Sequence, residues 1–300
     1  MTNIKAWLEA FRLRTLPLAF SSIIMGAFLA AREGSFVLSI FVLTLFTTLF
    51  LQVLSNLAND YGDFVKGTDN DKRIGPARTV QSGLILLSEM KLAIILCSVL
   101  AFLSGISLLF YSGAFKDFKI LFFFLGLGIL CIAAAITYTI GKNAYGYKGL
   151  GDISVFVFFG LVGVLGTHYL MAKHFELMNI LPAISCGLMA TGVLNLNNLR
   201  DIDNDRASGK RSIPVMIGFQ AGKVYQNSLV ILALCFLAIY LYLTYSKGWQ
   251  VMPLILVPIF ALHLMKVNKT EVHRDLDPFL KQLALLSLLT TLIFGISISI

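Results

Sequence analysis

The sequence predicts an all-α integral membrane protein of nine transmembrane helices, with its N terminus in the cytoplasm and its C terminus outside. Three observations predict this. First, 57% of the 300 residues are hydrophobic and only 13% are charged, about half the roughly 25% usual in soluble domains. Such a chain cannot cover itself with polar surface in water, and it is far too apolar to be disordered. Second, Lys, Arg, Asp and Glu are missing from nine long windows. Third, the cations between those windows collect on one side. The net charge of +8 therefore points to membrane topology and not to nucleic acid.

A membrane helix needs about 20 mostly apolar residues to cross roughly 30 Å of hydrocarbon. The windows are 15–31, 35–59, 92–115, 120–141, 153–172, 177–199, 224–246, 248–265 and 282–300. The first is short and follows basic residues, so with Ala30-Ala31 it has the outline of a secretory signal. Eight further spans favour an uncleaved first helix. Pro17, Pro182, Pro253 and Pro258 are expected at helix starts or kinks. The four cysteines (Cys97, Cys131, Cys186 and Cys235) lie far apart inside windows and read as small core residues. His168 and His263 also lie in windows and are expected to make interhelical hydrogen bonds or to sit at an interface. Barrel strands would read as alternating segments of about 10 residues, and these runs are solid apolar blocks. No linker or low-complexity segment interrupts them, so one domain over 1–300 is the simplest partition.

Orientation follows from the cations. With the N terminus on one side, that side holds the N-terminal tail and the connections 60–91, 142–152, 200–223 and 266–281, which carry 19 of the 24 Lys and Arg. The positive-inside rule makes it cytoplasmic. Thirteen of the sixteen acids lie there as well, all but Glu33, Asp117 and Glu176. Acids contribute little to topology, so this clustering calls for a functional reason.

Two segments hold most of it. The first runs Asn56-Leu57-Ala58-Asn59-Asp60-Tyr61-Gly62-Asp63 and continues through Asp69, Asp71, Lys72, Arg73 and Arg78. The second runs Asn195-Leu196-Asn197-Asn198-Leu199-Arg200-Asp201-Ile202-Asp203-Asn204-Asp205, then Arg206, Lys210 and Arg211. Both contain Asn-x-x-x-Asp, at Asn56–Asp60 and Asn197–Asp201, a hint of an internal pseudo-repeat. On a helix, Asp60 and Asp63 (i, i+3) share a face, as do Asp201 and Asp205 (i, i+4). Stacked carboxylates repel unless a divalent cation lies between them. Mg²⁺ favours one or two carboxylates plus substrate phosphate oxygens, and Asn56 and Asn197, one turn earlier, can add amide oxygens. The following Lys and Arg suit a Mg²⁺–diphosphate complex. A single acidic segment would read as a solvated loop. Two, on the same side, with the same start and the same basic tail, read as a metal site. There is no Walker A loop, which argues against a P-loop nucleotide site.

A third connection, Tyr138-Thr139-Ile140-Gly141-Lys142 and Tyr145-Gly146-Tyr147-Lys148-Gly149-Leu150-Gly151-Asp152, lies on the same side. Lys142 there fits either ordinary snorkelling or a phosphate contact.

These residues resemble the UbiA superfamily of intramembrane aromatic prenyltransferases, and within it the subfamily that prenylates 1,4-dihydroxy-2-naphthoate for menaquinone. The likeness rests on Asn56 to Asp63 with Gly67-x-Asp69 and Arg73-x-Gly75-Pro76-x-Arg78. It extends to Tyr147 to Asp152, Phe158 to Thr167, Asn197-Asn198-x-Arg200-Asp201-x-x-x-Asp205 with Gly209-Lys210, and Arg14-Thr15-Leu16-Pro17. One departure from the broader superfamily is visible. Its Asn-Asp-x-x-Asp-x-x-x-Asp ends here on Gly67, with Asp69 two residues later.

The resemblance implies a bundle in which Asp60, Asp63, Asp201 and Asp205 hold two Mg²⁺ ions against the head of a polyprenyl diphosphate. Asn56, Asn59, Arg78, Tyr138, Lys142, Asn197, Arg200 and Lys210 would contact that substrate. The naphthoate ring would attack the allylic carbon and lose CO₂. Tyr61, Tyr138, Tyr145 and Tyr147 could offer aromatic faces to a cation, though tyrosines are also ordinary at a membrane interface. It further implies a bacterial inner membrane location with the site open to the cytoplasm, and no obligate protein partner. Other acceptors (4-hydroxybenzoate, homogentisate, haem B) are the alternatives within the superfamily. A transporter is the alternative outside it, but transporters place ionisable groups near the bilayer midplane, and these windows have no Asp, Glu, Lys or Arg.

Overall fold

A computed structural model describes residues 4–69 and 78–299. Among these residues it contains nine helices long and apolar enough to cross a membrane, and no strand. We label them α1 (Leu16–Arg32), α2 (Leu38–Val65), α3 (Leu87–Tyr111), α4 (Phe118–Thr137), α5 (Gly151–Ala172), α6 (Ile180–Arg200), α7 (Phe219–Leu243), α8 (Gly248–Lys269) and α9 (Asp277–Ser299). A short helix, Ile4–Phe11, precedes α1. In hydrocarbon every backbone polar group must be satisfied internally, and a helix does this within one segment.

All nine expected spans are present, but their ends differ from the charge-free windows. α2 continues past residue 59 to Val65, α7 begins at Phe219 and α9 begins at Asp277. A charged residue at the bilayer surface does not break a helix. The windows therefore mark the hydrocarbon, and the helices project beyond it. The consequence is functional: Asp60 and Asp63 belong to the last turns of α2 and not to a loop.

Local chemistry sets the other boundaries. Pro17 lies in the first turn of α1 and Pro258 in the first α-helical turn of α8, which starts at Val257, positions that favour proline. Pro182 lies in the first turn of α6. Pro253 lies in the 3₁₀-helical opening of α8, Gly248–Leu256, which becomes α-helical from Val257. Asp117 caps α4 by accepting from the backbone N–H of Lys119 at 2.8 Å. In α5, residues Phe156–Leu165 are wound as a π-helix, a distortion that recurs at functional sites.

The helices pack in two groups joined by α1 and α5. Leu196, Val230, Phe260 and Leu283 belong to one apolar core uniting α6, α7, α8 and α9. Leu54, Leu57, Met90 and Ile94 belong to another uniting α2 and α3. α1 touches α2, α5, α6 and α9. Its approach to α5 depends on Gly26, where an added Cβ would lie 2.4 Å from the Val164 carbonyl oxygen. α4 buries none of its residues fully and forms the periphery. Cys97 and Cys186 are buried, Cys131 is half-buried, Cys235 is exposed, and all four are free thiols. His263 bonds Gln282 at 3.0 Å across α8 and α9, the interhelical role expected of it. Between the two groups lies a cavity of about 570 Å³.

Candidate active site

The acidic end of α2 is assembled first by its own helix. Asp60 and Asp63, one turn apart, are both buried. Asp60 accepts from the Arg12 guanidinium and has Arg78 Nη1 at 3.3 Å. Arg12 lies between Ile4–Phe11 and α1 in the left-handed region, φ 48°, an unusual conformation for a non-glycine residue. Asn56 ties the same segment down by donating to the Phe11 carbonyl at 2.9 Å and to Thr15 Oγ1 at 3.2 Å. Asp63 accepts from the Tyr147 hydroxyl at 2.7 Å, which also lies 2.5 Å from Thr68 Oγ1. The Lys66 ammonium sits 4.1 Å from the Tyr147 ring centroid.

The second acidic segment begins where α6 ends. Asp201 is the hinge between α6 and the short helix Ile202–Ala207. The Asp205 N–H still bonds the Asp201 carbonyl at 2.9 Å, so the expected one-turn spacing survives the junction. Arg200 grips Asp201 with two parallel bonds, Nε to Oδ1 at 3.0 Å and Nη2 to Oδ2 at 2.6 Å. It also donates to Asn197 Oδ1 at 2.9 Å and to Asp277 at the start of α9. Gly209, at φ 74°, turns the chain back, which glycine does without steric cost. Lys210 Nζ thereby lies 3.1 Å from Asp205 Oδ2. Asn204 Nδ2 donates to the Thr68 carbonyl at 2.8 Å, joining the two acidic segments directly.

The electrostatics follow from this crowding. Burial pushes the Asp205 carboxyl above its ordinary value; Lys210 opposes the shift, and the charges of Asp201 and Asp63 reinforce it. For Lys210 burial works downward, but the carboxylates of Asp205 and Asp63 outweigh it and hold the ammonium above its ordinary value. Burial pushes Arg78 down, with Arg12 adding to the shift and Asp60, Asp69 and Asp63 opposing it. Tyr138 is pushed up, chiefly by burial. Acids from both segments thus act on one another, with cations interleaved.

The cavity opens beside these groups. Asn56, Asn59, Asp63, Arg78, Tyr138, Asn197, Arg200 and Lys210 line it, and Leu18, Phe102, Phe124, Phe158 and Phe159 belong to its apolar wall. Asp60, Asp201 and Asp205 stand one contact behind the lining, against Arg78, Arg200 and Lys210. Lys142 is not brought to the site: it is exposed and does not line the cavity. Its connection instead contributes Tyr138, Tyr145 and the latch Tyr147. Asp203 faces outward and pairs with His273 at 2.9 Å, and Arg206 and Arg211 are exposed. Asp71, Lys72, Arg73, Gly75 and Pro76 lie outside the described residues.

The donor set suits Mg²⁺, because carboxylate and amide oxygens are its preferred ligands. Asn59 Oδ1 and Asn198 Oδ1 are buried without a hydrogen-bond partner, on residues that line the cavity. Buried orphan acceptors are rare and call for an explanation, and a cation at the acidic mouth supplies one. The amide oxygens of Asn56 and Asn197 are instead engaged, by Gln52 at 3.4 Å and by Arg200 at 2.9 Å.

Sequence reasoning missed three participants. Arg12 reads as a topological cation; its only local signal is a charge interrupting an apolar stretch. Asn198 sits inside a recognised motif without being singled out. Asp277 reads as part of a distant connection, and only the fold brings it to Arg200.

The chain matches the UbiA prenyltransferase family over residues 19–289. It is 46% identical to the 1,4-dihydroxy-2-naphthoate octaprenyltransferase of Haemophilus influenzae, over 99% of this chain and 97% of that protein. It is 44% identical to the enzyme of the same name from Escherichia coli, over 99% and 96%. Among solved structures, a UbiA homologue from Archaeoglobus fulgidus bound to DMAPP and Mg²⁺ aligns with a TM-score of 0.62 at 16% identity, covering 96% of this chain and 98% of that one.

Proposed function

Because the chain belongs to the UbiA prenyltransferase family, we propose that it transfers a polyprenyl group from polyprenyl diphosphate to 1,4-dihydroxy-2-naphthoate. Diphosphate and CO₂ are released, and the ring keeps both hydroxyls, so the product is demethylmenaquinol, the reduced form of demethylmenaquinone. One observation carries the reading: two buried acidic segments, bonded to each other through Asn204 and Thr68, meet cations at the polar end of one apolar cavity. The acceptor is supported by the names of the full-length relatives.

Asp60, Asp63, Asp201 and Asp205 are the residues that would hold Mg²⁺, as two ions shared with the diphosphate. When bound, the metal neutralises charge that builds on the leaving diphosphate. The chain's own groups do the rest. Lys210, Arg78 and Arg200 attract the diphosphate and orient it at the polar mouth. The hydroxyl of Tyr147 fixes Asp63, and Arg200 fixes Asp201, so both carboxylates are preorganised. The apolar wall, including Phe158 and Phe159, takes the prenyl chain and keeps water from the allylic carbon once its C–O bond breaks. The electron-rich naphthoate ring then forms the new C–C bond, and its carboxylate leaves as CO₂. Tyr138 and Tyr145, their rings 5.2 Å apart beside the cavity, offer faces to a transient cation.

We infer from the Lys and Arg asymmetry that the N terminus, the acidic segments and the mouth face the cytoplasm of a bacterial inner membrane. The deciding experiment offers purified protein several aromatic acceptors with a polyprenyl diphosphate and Mg²⁺. Transfer to dihydroxynaphthoate alone is expected. Transfer to 4-hydroxybenzoate instead would overturn the acceptor assignment.

A further inference from the structure

At the end of the bundle opposite the acidic mouth, three side chains from two helices converge on one point. Glu33 follows the last turn of α1, His168 lies in the last turns of α5, and His174 follows α5. Glu33 Oε2 is 3.1 Å from His168 Nε2 and 3.2 Å from His174 Nε2. One ligand atom from each residue lies within 4.8 Å of the others. Donors around a tetrahedral zinc ion, bound at about 2.0–2.1 Å, are separated by roughly 3.3 Å. We propose that Glu33, His168 and His174 bind a divalent transition-metal ion of the zinc class and clamp the outer ends of α1 and α5.

An independent observation concerns the proton on His174. Its Nδ1 lies 3.0 Å from the Ala172 carbonyl oxygen. A carbonyl only accepts, so Nδ1 carries the hydrogen, and whenever the ring is neutral its Nε2 presents a bare lone pair to a carboxylate oxygen. Two lone pairs at that distance repel, and a cation between them reverses the sign. A backbone carbonyl that fixes one ring nitrogen so that the other can bind metal is the usual support of a metal-bound histidine. The backbone is also constrained: Lys173, between α5 and His174, has φ 65°, a left-handed conformation costly for a residue with a side chain. That turn brings the His174 ring back to within 5.5 Å of His168. Arg32, the neighbour of Glu33, directs its guanidinium at the Tyr240 hydroxyl, 2.6 Å away.

The chemistry separates this site from the acidic mouth. Two imidazoles and one carboxylate suit zinc, whereas an all-oxygen set suits Mg²⁺. Three protein ligands leave the fourth position to water. His168 is 2% exposed in its side chain and His174 52%, so one ligand is fixed in the bundle and the other admits the ion from outside. The 17 residues of α1 keep the two sites about 25 Å apart.

The test uses purified full-length protein in excess Mg²⁺, with Zn²⁺ as the probe. Zn²⁺ retained after gel filtration and the melting temperature with and without Zn²⁺ are both measured. The wild type is expected to retain one Zn²⁺ per chain and to melt higher with it. Because His168 is buried, the exposed positions carry the comparison. Glu33→Gln and His174→Gln should each weaken Zn²⁺ binding by at least the roughly 10–100-fold that loss of a supporting partner costs, and should lose the melting shift. The same retention should persist in an Asp63→Asn/Asp205→Asn background. No uptake by the wild type, or equal retention by both outer variants, would overturn the proposal. So would a melting temperature indifferent to Zn²⁺ that follows pH through the histidine range, which assigns the pair to a bridging proton. Neither readout involves prenyl transfer, so a wrong acceptor leaves the test standing.

Discussion

Removing a carboxylate from the acidic mouth has two separable effects, and the residues differ in which they show. Asp201 balances the guanidinium of Arg200, which is only 1% exposed. Asp201→Asn leaves that charge short of a partner, and breaking such a buried pair costs about 3–5 kcal/mol. Asp60→Asn does the same to Arg12. Both variants are expected to reach the membrane, to melt lower than the wild type and to lose Mg²⁺-dependent transfer. Asp63→Asn is the cleaner change, because the Tyr147 hydroxyl can still donate to an amide oxygen. Its melting temperature should change little while the transfer rate falls roughly 10²–10³-fold, the scale of losing one electrostatic stabiliser. Full activity in any of the three would remove the metal assignment. Lys210→Met should chiefly raise KM for the prenyl diphosphate, whereas Lys142→Met, at an exposed position, should leave it unchanged.

At the scale of elements, the position of the α2 terminus matters most. Gly62 lets that terminus pack against the α4–α5 connection: a Cβ there would lie 2.5 Å from Thr139 Oγ1, which bonds the Ala58 carbonyl at 2.8 Å. Gly62→Ala should destabilise by about 1–3 kcal/mol, the usual cost of overpacking, and should slow transfer by displacing Asp63. Gly126→Ala, in open space on α4, should leave the melting temperature unchanged or slightly raised. Thermal melts in detergent distinguish the pair. The spacing of the acids was legible in the sequence because a helical repeat is local. That the membrane helix itself runs on through Asp60 and Asp63 to Val65 was not, since lack of charge marks the hydrocarbon and says nothing about where a helix ends in the interface. Nor was the π-helix of α5, within which Gly160 packs closely against Gly187 on α6.

For the whole molecule, the arrangement of two helix groups around one cavity explains how a lipid diphosphate and a polar aromatic acid can share a site. The apolar wall continues the membrane inward, and the charges are confined to one end. If that end faces the cytoplasm, cysteines introduced at Lys66 and Gly209 will be labelled only from inside the cell. Labelling from outside would invert the topology. Omitting Mg²⁺ should stop transfer and leave the histidine cluster at the opposite end of the bundle, with its different donor set, able to retain Zn²⁺.

The sequence by itself determined the nine spans, the uneven sidedness of cations and acids, and the two acidic segments. Each depends on residues adjacent along the chain or on composition summed over a window, and hydrocarbon thickness imposes a length that a sequence displays openly. The tertiary structure alone decided the partnerships. Arg12 reaches Asp60 across 48 residues, Arg200 reaches Asp277 across 77, and His168 reaches Glu33 across 135. It also turned Lys142 away from the cavity and left Asn198 facing into it. In a chain with so few charges, each buried one must find a partner, and which partner it finds depends on how the helices pack against one another.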